Sequence, residues 1–215
     1  MSEEKNKIEK KYYDYASVGN RTAQRAYFVQ NHDKNRMFEA LLKDLAKKQI
    51  LVMVKSKRAA DGLTEYLREK NISVLSAHGN HRPEHIQEMA LAFNDKKSNI
   101  FITTDRILEK LTLMNIEILM NYDLPLKEAD YLTRLLLVDE VGESISLIDP
   151  EDEKMLALLE HMMKRAMDEV EIENFEHTKH EKIQVKDKIK KPRHKKVEQR
   201  AKRKAEIKSQ WVPKK

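Results

Sequence analysis

At 215 residues, 40% apolar and 36% charged, the chain has room for one core-forming domain with an appendage. It contains no cysteine, which excludes disulfides and thiolate zinc sites and suits a cytoplasmic protein. No apolar run approaches the ~20 residues of a membrane span, and the charged opening residues hold no signal core. The net charge of +6 is unevenly spread: residues 176–215 hold 16 Lys/Arg against 5 Asp/Glu, whereas the remainder holds 26 against 31. A basic block of that kind attracts a polyanion, most often nucleic acid.

In chain order, residues 1–20 read as an irregular lead-in. Residues 35–48 have helical spacing, with Met37, Leu41, Leu42 and Leu45 on one face. The continuous apolar run 50–54 predicts a strand buried on both faces. Ser56 caps a helix over 57–70, and 73–76 is a short strand. Pro83 opens a helix to residue 94. Residues 99–103 form a strand, and Thr104 or Asp105 starts a short helix. A strand over 116–122 closes at Asp123-Leu124-Pro125. Residues 129–138 are helical, 144–148 are a strand, and Asp149-Pro150 caps a long helix to Met167. Five short strands alternating with helices predict an α/β fold: a Rossmann-like parallel sheet with helices on both faces. Ligands of such sheets bind beyond the carboxyl ends of the strands. Beyond Phe175 lysine dominates and apolar residues thin out, so residues 176–215 read as a basic tail, disordered alone or partly helical.

Nucleotide chemistry has little to work with. The four glycines, Gly19, Gly62, Gly79 and Gly142, do not have the spacing of a phosphate-cradling loop. No nucleophile elbow is present. His78, His81 and His85 could form a three-histidine metal site, but a polar surface loop is the better account of them, and no metal is expected. The methionines Met155, Met162, Met163 and Met167 recur at helical spacing, as core packing or as a partner groove.

Five segments stand in order at matching spacing: 50–67 (ILVMVKSKRAADGLTEYL), 74–80 (VLSAHGN), 99–105 (NIFITTD), 116–125 (IEILMNYDLP) and 145–152 (ISLIDPED). Together they resemble the second, C-terminal RecA-like domain of DEAD-box RNA helicases. The resemblance covers residues 21–175, with 21–42 similar to the segment that joins the family's two helicase domains. It implies a RecA-like fold and RNA contacts at Ser56, Lys57, Arg58, His78, Gly79, Thr104 and Asp105. The glutamine and arginine that follow the family's His-Gly turn are replaced by Pro83 and Ile86. The family's nucleotide-facing run after Thr-Asp has become Arg106-Ile107-Leu108-Glu109-Lys110-Leu111-Thr112. The two arginine-finger positions are Leu137 and Glu140, and the loop before Gly142 is about three residues shorter than the resemblance implies.

The expectation is therefore a protein without catalytic residues or cofactor, whose partner is RNA. The strand-end loops would contact phosphates, and the tail, through Lys195, Lys196, Arg200, Lys202, Arg203 and Lys204, would supply most of the affinity. Trp211 among lysines could stack on a base. Two other readings stay open. One is a helicase subunit completed by a separate ATPase domain. The other is a scaffold that docks ribosomal or RNA-processing proteins and is tethered to RNA.

Overall fold

The computed structural model describes residues 15–45, 47–173 and 175–178. Strands β1 (Ala23–Phe28), β2 (Ile50–Met53), β3 (Leu75–Ser76), β4 (Ile100–Thr103), β5 (Ile116–Asn121), β6 (Val138–Ile148) and β7 (Asp168–Glu169) form one sheet. Their order is β3-β4-β2-β5-β6-β1-β7, and every pairing is parallel. The helices are α1 (Tyr15–Arg21), α2 (Lys34–Leu45), α3 (Lys57–Glu69), α4 (Pro83–Asn94), α5 (Asp105–Leu108), α6 (Glu128–Leu135) and α7 (Glu153–Met163).

The central strands divide their side chains with period two. Ile50, Val52, Ile100, Ile102, Ile118 and Met120 face one core with Phe38, Leu41, Leu63 and Leu67 from α2 and α3. Leu51, Met53, Phe101 and Leu119 face a second core with Phe93, Leu135, Leu156 and Leu159 from α4, α6 and α7. Burial on both faces is why these strands read as continuous apolar runs. The methionine stripe of the last helix belongs to the second core: Met163 and Met167 are buried, and Met155 and Met162 pack against it.

Several elements differ from the sequence expectations. Residues 15–20, read as irregular, belong to α1. Gly19 lets that helix lie against α7, since a Cβ there would come within 2.8 Å of the Met163 side chain. Strand β1 lies in the stretch read only as a joining segment. Its buried positions include Gln24, whose amide donates to the Gly19 carbonyl oxygen and whose Oε1 accepts from the Tyr131 hydroxyl. Helix α6 stops at Leu135, not at residue 138, because Val138 opens β6 opposite Ile116. Helix α7 stops at Met163, not Met167: Lys164 takes a left-handed conformation, φ 54°, and caps the helix. β7 follows, and Val170 continues along β1 by donating to the Ala26 carbonyl oxygen.

Candidate nucleic-acid interface

The carboxyl ends of β2, β3, β4 and β5 enclose a cleft of about 410 Å³. One side is Lys55, Ser56 and Lys57 with Gly79 and Asn80. The other is Thr104, Asp105 and Arg106, with Pro125, Leu126 and Asp130. Five of the sequence-proposed residues meet here: Ser56, Lys57, Gly79, Thr104 and Asp105. Their common position follows from topology, since each ends a parallel strand or opens the helix after it.

The local chemistry suits an anion. Ser56 is the N-cap of α3, its Oγ accepting from Ala59 N at 3.1 Å. The hydroxyl proton stays available to a ligand, and the amino end of α3 adds a favourable field. Lys57 Nζ lies 3.2 Å from Asn80 Oδ1. Thr104 sits at the N-cap of α5 without a side-chain cap bond. Gly79 is exposed, and a Cβ there would meet only the Arg106 side chain, at 3.9 Å, so its backbone is approachable. Lys55, Lys57 and Arg106 are all exposed.

Three proposed residues play other parts. Arg58 is exposed but does not line the cleft. His78 is buried, its Nε2 2.8 Å from Asp61 Oδ1, so the ring anchors the turn and only the backbone beyond it reaches the cleft. Asp105 is held by Arg134 in a two-pronged pair, Nε to Oδ1 at 2.7 Å and Nη2 to Oδ2 at 2.6 Å. It is a support for the cleft wall more than a free contact. Lys195, Lys196, Arg200, Lys202, Arg203, Lys204 and Trp211 lie outside the described residues.

Below the cleft runs a buried polar network that no sequence motif signalled. Arg134, fully buried, also donates to Asn121 Oδ1 at 2.8 Å and to the Asp123 carbonyl oxygen at 2.9 Å. The Asp123 carboxylate accepts from Lys55 N at 3.0 Å and pairs with Lys34 Nζ at 3.3 Å. Lys34, also fully buried, reaches Asp149 at 2.9 Å and Asp152 at 3.2 Å. Burial alone would lower the Lys34 pKa, but the three carboxylates outweigh it and raise it. Burial likewise pushes Asp149 up, and the Lys34 ammonium with two backbone N–H groups brings it below the usual carboxylate range. Asp152 stays raised, because burial and the neighbouring Asp149 exceed its share of Lys34. The only sequence signal for this network was the recurrence of aspartate after strands, at Asp105, Asp123 and Asp149.

The three histidines do come together, with ring centroids 4.0 Å apart for His78–His81 and 5.1 Å for His81–His85. Burial, with the two neighbouring rings, lowers the His81 pKa. Among the described residues no group of three His, Asp or Glu is arranged to hold a metal ion, and no helix is long and apolar enough to cross a membrane.

Leu137, where the resemblance places the first finger, packs against the second core; the Glu140 side chain lies outside the described residues. The run from Lys110 to Met114 is tied to α4. Gln87 donates to the Lys110 carbonyl oxygen at 2.9 Å, Asn94 Nδ2 donates to that of Thr112 at 2.8 Å, and Met114 N donates to Asn94 Oδ1 at 3.0 Å.

Residues 33–136 match the helicase conserved C-terminal domain. The chain is 31% identical over 136 residues to the ATP-dependent RNA helicase SUB2-2 of Vanderwaltozyma polyspora, a match covering 61% of this chain and 31% of that protein. Among solved structures, a DEAD box protein from the hyperthermophile Methanococcus jannaschii matches with a TM-score of 0.67 at 24% identity, over 72% of this chain and 43% of that one. Dbp5 of S. cerevisiae bound to RNA and ADP BeF3 matches with a TM-score of 0.62 at 19% identity, over 74% and 42%. Residues 33–136 are thus similar to the C-terminal helicase domain found in DEAD-box RNA helicases, and the fold is the RecA-like one of those domains; the match spans about a third of the curated relative's length.

Proposed function

We propose that this domain binds single-stranded RNA through the strand-end cleft and does not take part in ATP hydrolysis, with the Lys/Arg-rich segment after Thr178 adding charge-driven affinity. The cleft carries the reading: Lys55, Lys57 and Arg106 surround two hydroxyls and an exposed glycine backbone. Asp105, a carboxylate of the lining, is neutralised by Arg134. Of the lining charges only Asp130 opposes the cations, so the cleft favours a backbone of phosphates. The related Dbp5 structure contains RNA. Loss of hydrolysis is supported by Leu137, which offers no charge to a transferring phosphoryl group and packs instead against the core.

The test is a titration of the full-length protein with labelled single-stranded RNA, and separately with a fluorescent ATP analogue, at ~50 and ~200 mM salt. RNA affinity should fall steeply with salt, and Lys57→Glu with Arg106→Glu should weaken it by about tenfold or more. No saturable nucleotide signal is expected. Clear nucleotide binding would overturn the non-hydrolytic reading and favour a subunit completed by a separate ATPase domain. Unchanged RNA affinity in the double variant would remove the cleft from the interface.

A further inference from the structure

Among the described residues the sheet ends at β7, which pairs there only with β1. The chain that follows keeps strand alternation. Val170 and Ile172 turn inward against the core of α2 and α3, while Glu169 and Glu171 stay exposed. Two cavities meet along this edge, of about 480 and 310 Å³, and both are lined by Phe28 and His177. Phe28 is 41% exposed although it sits on an interior strand. Around it the floor is apolar, with Met37 and Ile172 on one side, Ile148 and Pro150 on the other. The charged rim is Glu169 and Glu171 in the first cavity and Glu153 in the second, and neither cavity has a lysine or arginine in its lining. Among the described residues none of the three carboxylates has a salt-bridge partner.

We propose that this edge groove docks an extended basic peptide of another protein, which adds alongside β7, places one large apolar side chain over Phe28, and sets lysines or arginines opposite Glu153, Glu169 and Glu171. Three features support this occupant. Among the described residues the outer edge of β7 has no partner strand, and such an edge presents backbone groups that an extended chain can pair with. An apolar anchor covering the floor would also strip water from the carboxylates, and that is favourable only if the incoming segment brings cations. The same carboxylates repel phosphates, so nucleic acid is the wrong ligand for this edge. The groove shares no lining residue with the strand-end cleft, so the proposal stands apart from RNA binding.

Full-length protein would be titrated by fluorescence anisotropy with a short labelled peptide that alternates lysine and serine about a central tryptophan. Binding should weaken by about tenfold when the tryptophan is replaced by serine, because the anchor is lost. It should weaken by a similar factor, about tenfold, when Glu153, Glu169 and Glu171 are together changed to glutamine. These exposed, conservative changes leave the fold intact, and RNA affinity should not fall in the same variant. Equal binding of the serine peptide would mean that only diffuse charge is at work. Equal binding by the glutamine variant would place the peptide elsewhere. Either result overturns the groove.

Discussion

Replacing Lys34 by methionine tests how the strand-end rim is held. The ammonium is fully buried among three carboxylates, at 2.9 Å from Asp149, 3.2 Å from Asp152 and 3.3 Å from Asp123. With an effective dielectric constant of about 20, one such pair at 2.9 Å attracts by roughly 6 kcal/mol before the cost of burying both ions is deducted. Removing one partner of a buried pair leaves the other uncompensated and costs about 3–5 kcal/mol. Methionine fills similar space, so the loss is electrostatic rather than a cavity. In a urea titration with a slope of about 2 kcal/mol per molar, the midpoint should drop by about 2 M. The pH dependence gives a sharper readout. Asp149 has a depressed pKa, so in the wild type its contribution is present above the unfolded value of about 3.9 and is lost as pH falls through the folded value. Lys34 has a raised pKa, so its contribution holds below about 10.4 and is lost only as pH rises through the higher folded value. Without Lys34, burial governs Asp149 and raises its pKa above the unfolded value. The variant should therefore gain stability as pH falls from about 7 to about 4, opposite to the wild-type trend from this group. A midpoint shift below about 0.5 M, or an unchanged sign of the pH slope, would refute the view that Lys34 neutralises the rim.

Arg134→Lys should destabilise the domain by about 2–4 kcal/mol in the same titration, because a single ammonium cannot replace the fork on Asp105 and the bonds to Asn121 and the Asp123 carbonyl. Gly142→Ala should lower Tm by roughly 3–10 °C, since the new Cβ would collide with Val138 and sit 2.8 Å from the Glu117 carbonyl oxygen. Gly62→Ala, in the middle of α3 with nothing within 4 Å, should instead stabilise by about 0.5–1 kcal/mol.

The interior of the sheet was legible because its signal is apolar. Strand β2 is an unbroken hydrophobic run, β4 and β5 are mostly apolar, and Ser56 and Pro83 mark helices that begin where expected. The flank around β1 was not, because it is held by a different currency. Gln24 is buried there and bonds to Tyr131, beside the buried Ser144, Ser146 and Asn121 of the neighbouring strands, so no hydrophobic period announces β1, although 144–148 of β6 read as a strand. Strand β7 is two residues long and exposed, and its place is set by the ladder to β1. At the site, the exposed cleft residues were readable from strand-end positions. Lys34 and Arg134 were not, since a lysine before an amphipathic helix and an arginine inside one both read as solvated charges until the fold places aspartates around them.

The polar network holds the walls of the cleft. Asp123 fixes Lys55 through its backbone N–H, and Arg134 fixes Asp105 and the Asp123 carbonyl. Each contact holds backbone at the ends of β2, β4 or β5, where the cleft walls begin. None of them depends on the position now occupied by Leu137, which contributes apolar contact to the core instead. An apolar side chain at this position therefore leaves the wall contacts untouched, and its packing is neutral or favourable for stability. The converse does not hold: losing Lys34 strands buried carboxylates, and losing Arg134 leaves Asp105, Asn121 Oδ1 and the Asp123 carbonyl oxygen without their donor, so either loss costs the fold directly. On this argument the residues that shape the cleft are tied to folding, and those that would serve phosphoryl transfer are not.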